Sequence, residues 1–197
     1  MVLVATLLAA LIVPAGAAVE NGVEFYEVDG PSVAKGSVET VPGELDRLFD
    51  ALRSARNAAE ARPVESRIWR AWLQAPDRRA ASRMNRNIKY REYGEYWDSM
   101  DQVNHVIRRF PRYAEAWNQR AFLHFLQGDY EASIRDCRRT LELEPRHFGC
   151  MSGMARAFIR LEREDEARAI LTRALAIHPF LPERRLLKRL GVPRVDL

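Results

Sequence analysis

The sequence has few of the residues from which chemistry is usually assembled. Two cysteines, Cys137 and Cys150, stand among 197 residues, too few for a disulfide framework or an all-cysteine zinc site. The four histidines, His105, His124, His147 and His178, never pair at i, i+3 or i, i+4, so the helical ligand pair of HExxH-type metal sites is missing. There is no G-x-S-x-G, no P-loop and no glycine-rich dinucleotide fingerprint, which leaves acyl transfer, phosphoryl transfer and nucleotide chemistry without their usual residues. The expectation is a protein that is not an enzyme, with no catalytic residues, cofactor or metal.

Lysine is scarce too. Only Lys35, Lys89 and Lys188 occur, so 28 of the 31 basic residues are arginine, and against 27 acidic residues the formal charge is only +4. Such a balance aids solubility without indicating a nucleic-acid partner. The pairs Arg78-Arg79, Arg108-Arg109, Arg138-Arg139 and Arg184-Arg185 fall at different positions of the repeat described below, so they do not build the continuous basic stripe that tracks a phosphate backbone. No nucleic-acid partner is expected. Hydrophobic residues at 47% and charged residues at 29% are ordinary for one soluble domain.

Residues 1–18, MVLVATLLAALIVPAGAA, carry no charged side chain. An apolar run to Val13, Pro14 and then small residues reads as a secretory signal peptide, cleaved after Ala17 or Ala18. Its n-region lacks the usual Lys or Arg. The alternative is an uncleaved membrane anchor, marginal in length, and membrane contact is expected only in that case. The expected location is periplasmic or exported. Residues 19–43, with Gly22, Gly30, Pro31, Gly36, Pro42 and Gly43, read as a flexible linker, with a brief extended piece at Val23–Val28.

What the sequence has in plenty is internal repetition. Laying Pro145 over Pro179, an offset of 34, also lays Trp117 over Met151, Ala121 over Ala155, Ser133 over Ala167, Leu141 over Leu175 and Leu143 over Ile177. Another 34 residues back lies Pro111, with Gly94 and Tyr96 in register with Gly128 and Tyr130. A 34-residue period of alternating helical faces predicts stacked helix–turn–helix units. Boundaries follow at 80–113 for a degenerate unit, 114–147 and 148–181 for two good ones.

These residues resemble the tetratricopeptide (TPR) family. The resemblance rests on Trp117, Arg120-Ala121, His124, Gly128-Asp129-Tyr130, Ser133, Cys137 and Pro145, and on Met151, Met154-Ala155, Phe158, Ala167, Leu171 and Pro179. It implies an all-α fold, a right-handed TPR-type α-solenoid of antiparallel helix hairpins. IWRAWL at 68–73 and EPRHFG at 144–149 are further similar to small exported TPR proteins of Gram-negative bacteria without a settled biochemical role.

Solenoids need covered ends. Residues 44–79 read as an N-terminal helical capping hairpin, one helix from Glu44 to about Ala61 with Leu45, Leu48, Phe49 and Leu52 on one face, and a second starting at Pro63. Ile68, Trp69, Trp72 and Leu73 would cover the apolar end of the stack, or the two tryptophans would form an exposed patch. Residues 182–197 read as a C-terminal capping helix and tail, with Leu186, Leu187 and Leu190 inward.

The family's binding positions, carried over by register, give a candidate partner-binding groove of Met84, Ile88, Arg91, Glu115, Asn118, Phe122, Phe125, Ser152, Arg156 and Ile159, with Gly149 beside them. The resemblance implies a protein or peptide partner in the concave face, and the apolar lining with a cationic end suits an extended or helical peptide with an acidic terminus. The family's chaperone-tail binders have Lys and Asn where Met84, Ile88 and Phe122 stand, so that specificity is not expected. The other functional reading is a structural or assembly module acting by homo-oligomerisation. Cys137 and Cys150 lie on consecutive helices; an oxidising compartment favours a disulfide, but helical phase sets them more than the permitted 7 Å or so apart between Cα atoms.

Overall fold

The computed structural model describes residues 19–20, 23–24 and 43–191. Contacts divide the chain into two units, 1–30 and 31–197. In the first, β1 (Val19–Glu20) and β2 (Val23–Glu24) pair antiparallel, Val19 opposite Glu24. The signal and linker assignments otherwise lie outside the described residues.

The second unit is helical throughout its described part: α1 (Glu44–Ser54), α2 (Ala58–Trp72), α3 (Arg78–Glu92), α4 (Tyr96–Arg109), α5 (Ala114–Leu126), α6 (Tyr130–Leu143), α7 (Phe148–Arg160), α8 (Glu164–Ile177) and α9 (Arg184–Arg189). It is an all-α, TPR-type solenoid. Three antiparallel hairpins, α3/α4, α5/α6 and α7/α8, form its stack, and their junctions repeat in atomic detail.

Each hairpin turn closes with the same pair of backbone hydrogen bonds. Glu95 N–H donates to Tyr90 O at 2.8 Å, Asp129 to His124 at 2.9 Å and Arg163 to Phe158 at 2.9 Å; one residue earlier, Gly94, Gly128 and Glu162 donate to Arg91, Phe125 and Ile159. This is the Schellman arrangement, which puts the residue after the C-cap in the left-handed region. Gly94 and Gly128 take φ of 74° and 79° without strain, whereas Glu162, at the same repeat position, takes φ 59° with a side chain attached. The turn survives loss of its glycine because both hydrogen bonds and the flanking helices dictate it. Between hairpins the residues before the registered prolines, Phe110, Glu144 and His178, all have φ near −130°, the extended conformation that a following proline imposes.

The degenerate unit departs from the pattern where two helices touch most closely. Ala121 and Ser133, like Ala155 and Ala167, are small residues there; the first hairpin keeps a serine, Ser99, but has Asn87 in place of the alanine, both fully buried. They pair reciprocally: Asn87 Nδ2 donates to Ser99 Oγ at 2.8 Å and Ser99 Oγ donates to Asn87 O at 2.8 Å. The Asn87 amide nitrogen and the Ser99 hydroxyl are thus paired, while Asn87 Oδ1 stays buried without a partner, so this junction carries a polar cost that the small-residue contacts of the later hairpins avoid.

The N-terminal hairpin differs from the sequence-based boundary. α1 stops at Ser54, and Pro63 lies inside α2 rather than at its start. The helix begins earlier because Asn57 caps it: Asn57 Oδ1 accepts from Glu60 N–H at 3.0 Å, and Glu60 Oε2 reaches back to accept from Arg56 N–H, one residue before the cap, at 3.1 Å. Proline is tolerated in the second turn because its ring φ is helical and only one backbone bond is lost.

This hairpin covers apolar surface, and most of that surface belongs to the last repeat. Leu48, Phe49, Leu52, Ile68 and Trp72 share one core cluster with Phe148, Met151, Ala155, Leu171 and Leu175, with Trp69 packed against it. Leu73 alone of the expected capping residues joins the cluster of α3, α4 and α5. Trp69 and Trp72 therefore form no exposed patch. The Trp69 ring fills the space over Gly149, where an added Cβ would stand 2.4 Å from Cη2 and 2.7 Å from Cζ2. Arg146 ties the seat together, donating to Asp46 at 2.6 Å and standing 4.2 Å over the Phe49 ring. At the other end Leu186 and Leu187 of α9 pack against the same cluster, while Arg184, Arg185, Lys188 and Arg189 are exposed.

Two pairs of substitutions test this architecture. Glu162→Gly should stabilise the chain by about 0.5 kcal/mol by removing left-handed strain, and Gly128→Ala should cost about 1 kcal/mol; denaturant midpoints of opposite sign are the expected result. Within α7, Gly153 has open space where a Cβ would go, so Gly153→Ala should stabilise by about 0.5–1 kcal/mol through helix propensity. Gly149→Ala should instead lower the melting temperature, since overpacking against Trp69 costs about 1–3 kcal/mol, and should shift tryptophan emission. Equal stabilisation by both changes would show that α2 is not seated there.

Candidate functional site

The first helices of the three hairpins, α3, α5 and α7, carry the residues expected in a groove. The structure distributes them between two fates. Met84 and Glu115 are fully buried and Ser152 is nearly so, while Gly149 lies under Trp69. Arg156 is only 10% exposed and donates to Glu183, itself 9% exposed, at 2.8 Å. Its cation is spent on holding the segment that leads into α9, so it does not supply the expected cationic end of a groove.

Ile88, Arg91, Asn118, Phe122, Phe125 and Ile159 remain partly exposed. Phe125 and Ile159 pack partly into the cluster between α5 and α8, and Phe125 meets Tyr130 across the turn with ring centroids 5.3 Å apart. Arg91 and Phe122 are brought together across the junction of the first two hairpins: the guanidinium carbon is 4.9 Å from the ring centroid, and Arg91 Nη1 donates to Gln119 Oε1 at 2.6 Å. A cation over an aromatic face keeps its charge while exposing an apolar edge beside it. The strip thus combines a guanidinium, an amide and aromatic surface on α3 and α5.

Under the strip lies a polar node absent from the sequence-based expectation. His147 caps α7: its Nδ1 accepts from Cys150 N–H at 3.1 Å. A ring nitrogen that accepts carries no proton, so the proton of the neutral imidazole sits on Nε2, which donates to Glu115 Oε2 at 3.0 Å. Both side chains are 0% exposed. Glu115 also accepts from Gln119 at 2.6 Å and from Asn118 at 3.2 Å, so the buried carboxylate is fully surrounded by donors. The ring face of His147 stacks on Trp72 at 4.0 Å and 11°. Glu115 is therefore a structural anchor for Asn118 and Gln119, and through Gln119 for Arg91. Its register position marked it as lining; nothing in the sequence linked it to a histidine 32 residues away.

A second network spans the stack farther along. Arg120 makes a bidentate pair with Asp136, at 2.7 and 2.8 Å, and donates to Asn104 at 2.9 Å. His124 stands 3.6 Å from Asp136; burial, the largest influence, outweighs that carboxylate and holds the imidazole below its usual pKa. Among the described residues no group of three or more His, Cys, Asp and Glu could hold a metal ion. Among the described residues the exposed large aromatics are Tyr93, at the end of α3, and Trp97, in the first turn of α4.

Comparison with known proteins places this geometry. Residues 112–179 match the profile of the Tetratricopeptide repeat family. A TPR repeat-containing protein of Rhizobium etli is 35% identical over 111 residues, covering 56% of this chain and 54% of that protein, so the chain spans about half the length of this relative. Among solved structures, the first TPR of Spaghetti (RPAP3) bound to the HSP90 peptide SRMEEVD aligns with TM-score 0.57 at 19% identity, over 59% of this chain and 94% of that one. The TPR2B domain of yeast Sti1, in complex with pHsp70, aligns with TM-score 0.47 at 20% identity, over 58% and 94%. With the 34-residue register, the Schellman turns and the proline junctions in place, residues 112–179 carry tetratricopeptide repeats.

Proposed function

We propose that the protein is an exported interaction module that binds a protein or peptide partner along the strip Ile88–Arg91–Asn118–Phe122–Phe125 and has no catalysis of its own. The observation that carries this reading is the Arg91–Phe122 pair with Gln119: it offers a cation beside aromatic surface, the chemistry that suits an acidic residue next to an apolar one in a peptide ligand. The partner surface is shorter than the register positions suggested, because α2 occupies the part of the face around Gly149. The RPAP3 repeat holds an acidic-ended peptide, SRMEEVD, on the same fold. Export rests on the uncharged segment 1–18 and its small-residue cleavage site.

A photo-crosslinking residue placed at position 122 should trap a partner in intact cell envelopes, identified by mass spectrometry, whereas the same residue at exposed Arg138 on α6 should not. Phe122→Glu should weaken capture of that partner at least tenfold with the helical circular-dichroism signal unchanged. Equal trapping from both positions would remove the strip as the site. Export has its own test: the protein recovered from the producing cells should begin at residue 18 or 19, read by intact mass, and a full-length mass would leave only the anchored form.

A further inference from the structure

The two cysteines, set apart by helical phase in the sequence, face each other in the fold. Cys137 Sγ on α6 donates to Cys150 O at 3.3 Å, and Cys150 Sγ on α7 donates to Cys137 O at 3.7 Å. Such reciprocal contacts require each side chain to lie across the other's backbone, so the residues are direct neighbours at the helix junction. The phase argument failed because it treated α6 and α7 as if they met only near the turn; in the solenoid they pack side by side along much of their length, as the shared cluster of Cys137, Cys150, Met154 and Ile134 shows.

The same two positions at the preceding junction, 34 residues earlier, hold Val103 and Ala116, both fully buried in one cluster. An apolar pair fills that space there, so packing does not demand two thiols. We propose that Cys137 and Cys150 form a disulfide that staples the second repeat to the third. The reaction is thiol–disulfide exchange with a small-molecule disulfide as oxidant. One thiolate attacks that disulfide and releases one small thiol; the second thiolate then attacks the mixed disulfide and releases the other. The cysteines lose two electrons and two protons in all, and the oxidant is reduced to two thiols.

The timing follows from burial. Cys137 is 2% exposed and Cys150 1%, and burial, followed by the neighbouring Cys137 thiol, pushes the Cys150 thiol well above its ordinary range. In the packed protein the Cys150 thiolate is scarce, and oxidant has no access to either buried sulfur. The bond therefore forms while the α6–α7 junction is open, during folding, and once formed is shielded from reductants. It closes a loop of about a dozen residues, short enough to form readily. The inference does not depend on the partner strip, which lies on α3 and α5.

The full chain, unfolded with reductant and refolded in reduced and oxidised glutathione, tests it. The expected product is a helical monomer about 2 Da lighter than the reduced chain, with neither cysteine open to alkylation after denaturation, and with a melting temperature higher by about 5–10 °C. Cys150→Ala should give no such species, only glutathione adduct or free Cys137. Two alkylatable cysteines in the refolded wild-type monomer, or glutathione retained on either, would overturn the proposal. So would loss of the 2 Da from a disulfide-linked dimer rather than the monomer. The same chain, reduced in its native state and then given oxidised glutathione, should oxidise far more slowly than during refolding; equal rates would contradict the assigned timing.

Discussion

One imidazole holds three parts of the molecule in register. His147 caps α7 through Nδ1, donates through Nε2 to Glu115 at the start of α5, and stacks its face on Trp72 of α2. Each contact constrains the others. Accepting from the Cys150 amide fixes the tautomer, the tautomer makes Nε2 a donor, and the donor satisfies a carboxylate with no water around it. A buried carboxylate without those donors would be costly by several kcal/mol. The hairpin stack and the N-terminal hairpin are joined at this point by groups none of which can be changed alone.

The position of α1 and α2 gives the fold its character. A simple solenoid would leave its terminal helices exposed and its inner face open. Here Trp69 and Trp72 turn the N-terminal hairpin onto the last repeat, so Phe148, Met151 and Leu171 are covered by the same residues that would otherwise need covering themselves. α9 adds Leu186 and Leu187 to that cluster, and the Arg156–Glu183 pair fixes the segment leading to it. What stays open on the first helices is the shorter stretch around Arg91 and Phe122, whose amide support runs back through Gln119 to Glu115.

Much of this was legible in the residues. The registered prolines and the Gly-x-Tyr turns gave the hairpins and their junctions, because proline and left-handed glycine act on the backbone locally and need no partner. Leu48, Phe49 and Leu52 were legible as a buried face by spacing. The start of α2 was misplaced at Pro63, although Asn57 and Glu60 carried the capping signal three residues apart; a proline inside the second turn masked it. Arg156 was read as a groove cation and is instead half of a buried pair, since its partner Glu183 lies 27 residues away.

The sequence by itself determined the repeat length, the all-helical class and the inward face of each helix, since these follow from backbone conformation and from spacings of one to four residues. Only the tertiary structure decided which inward face meets which. Trp69 over Gly149, Glu115 against His147, and Cys137 against Cys150 join residues 13 to 80 positions apart. Such pairings are chosen by how whole helices pack once the stack has its curvature, and no local periodicity carries that information.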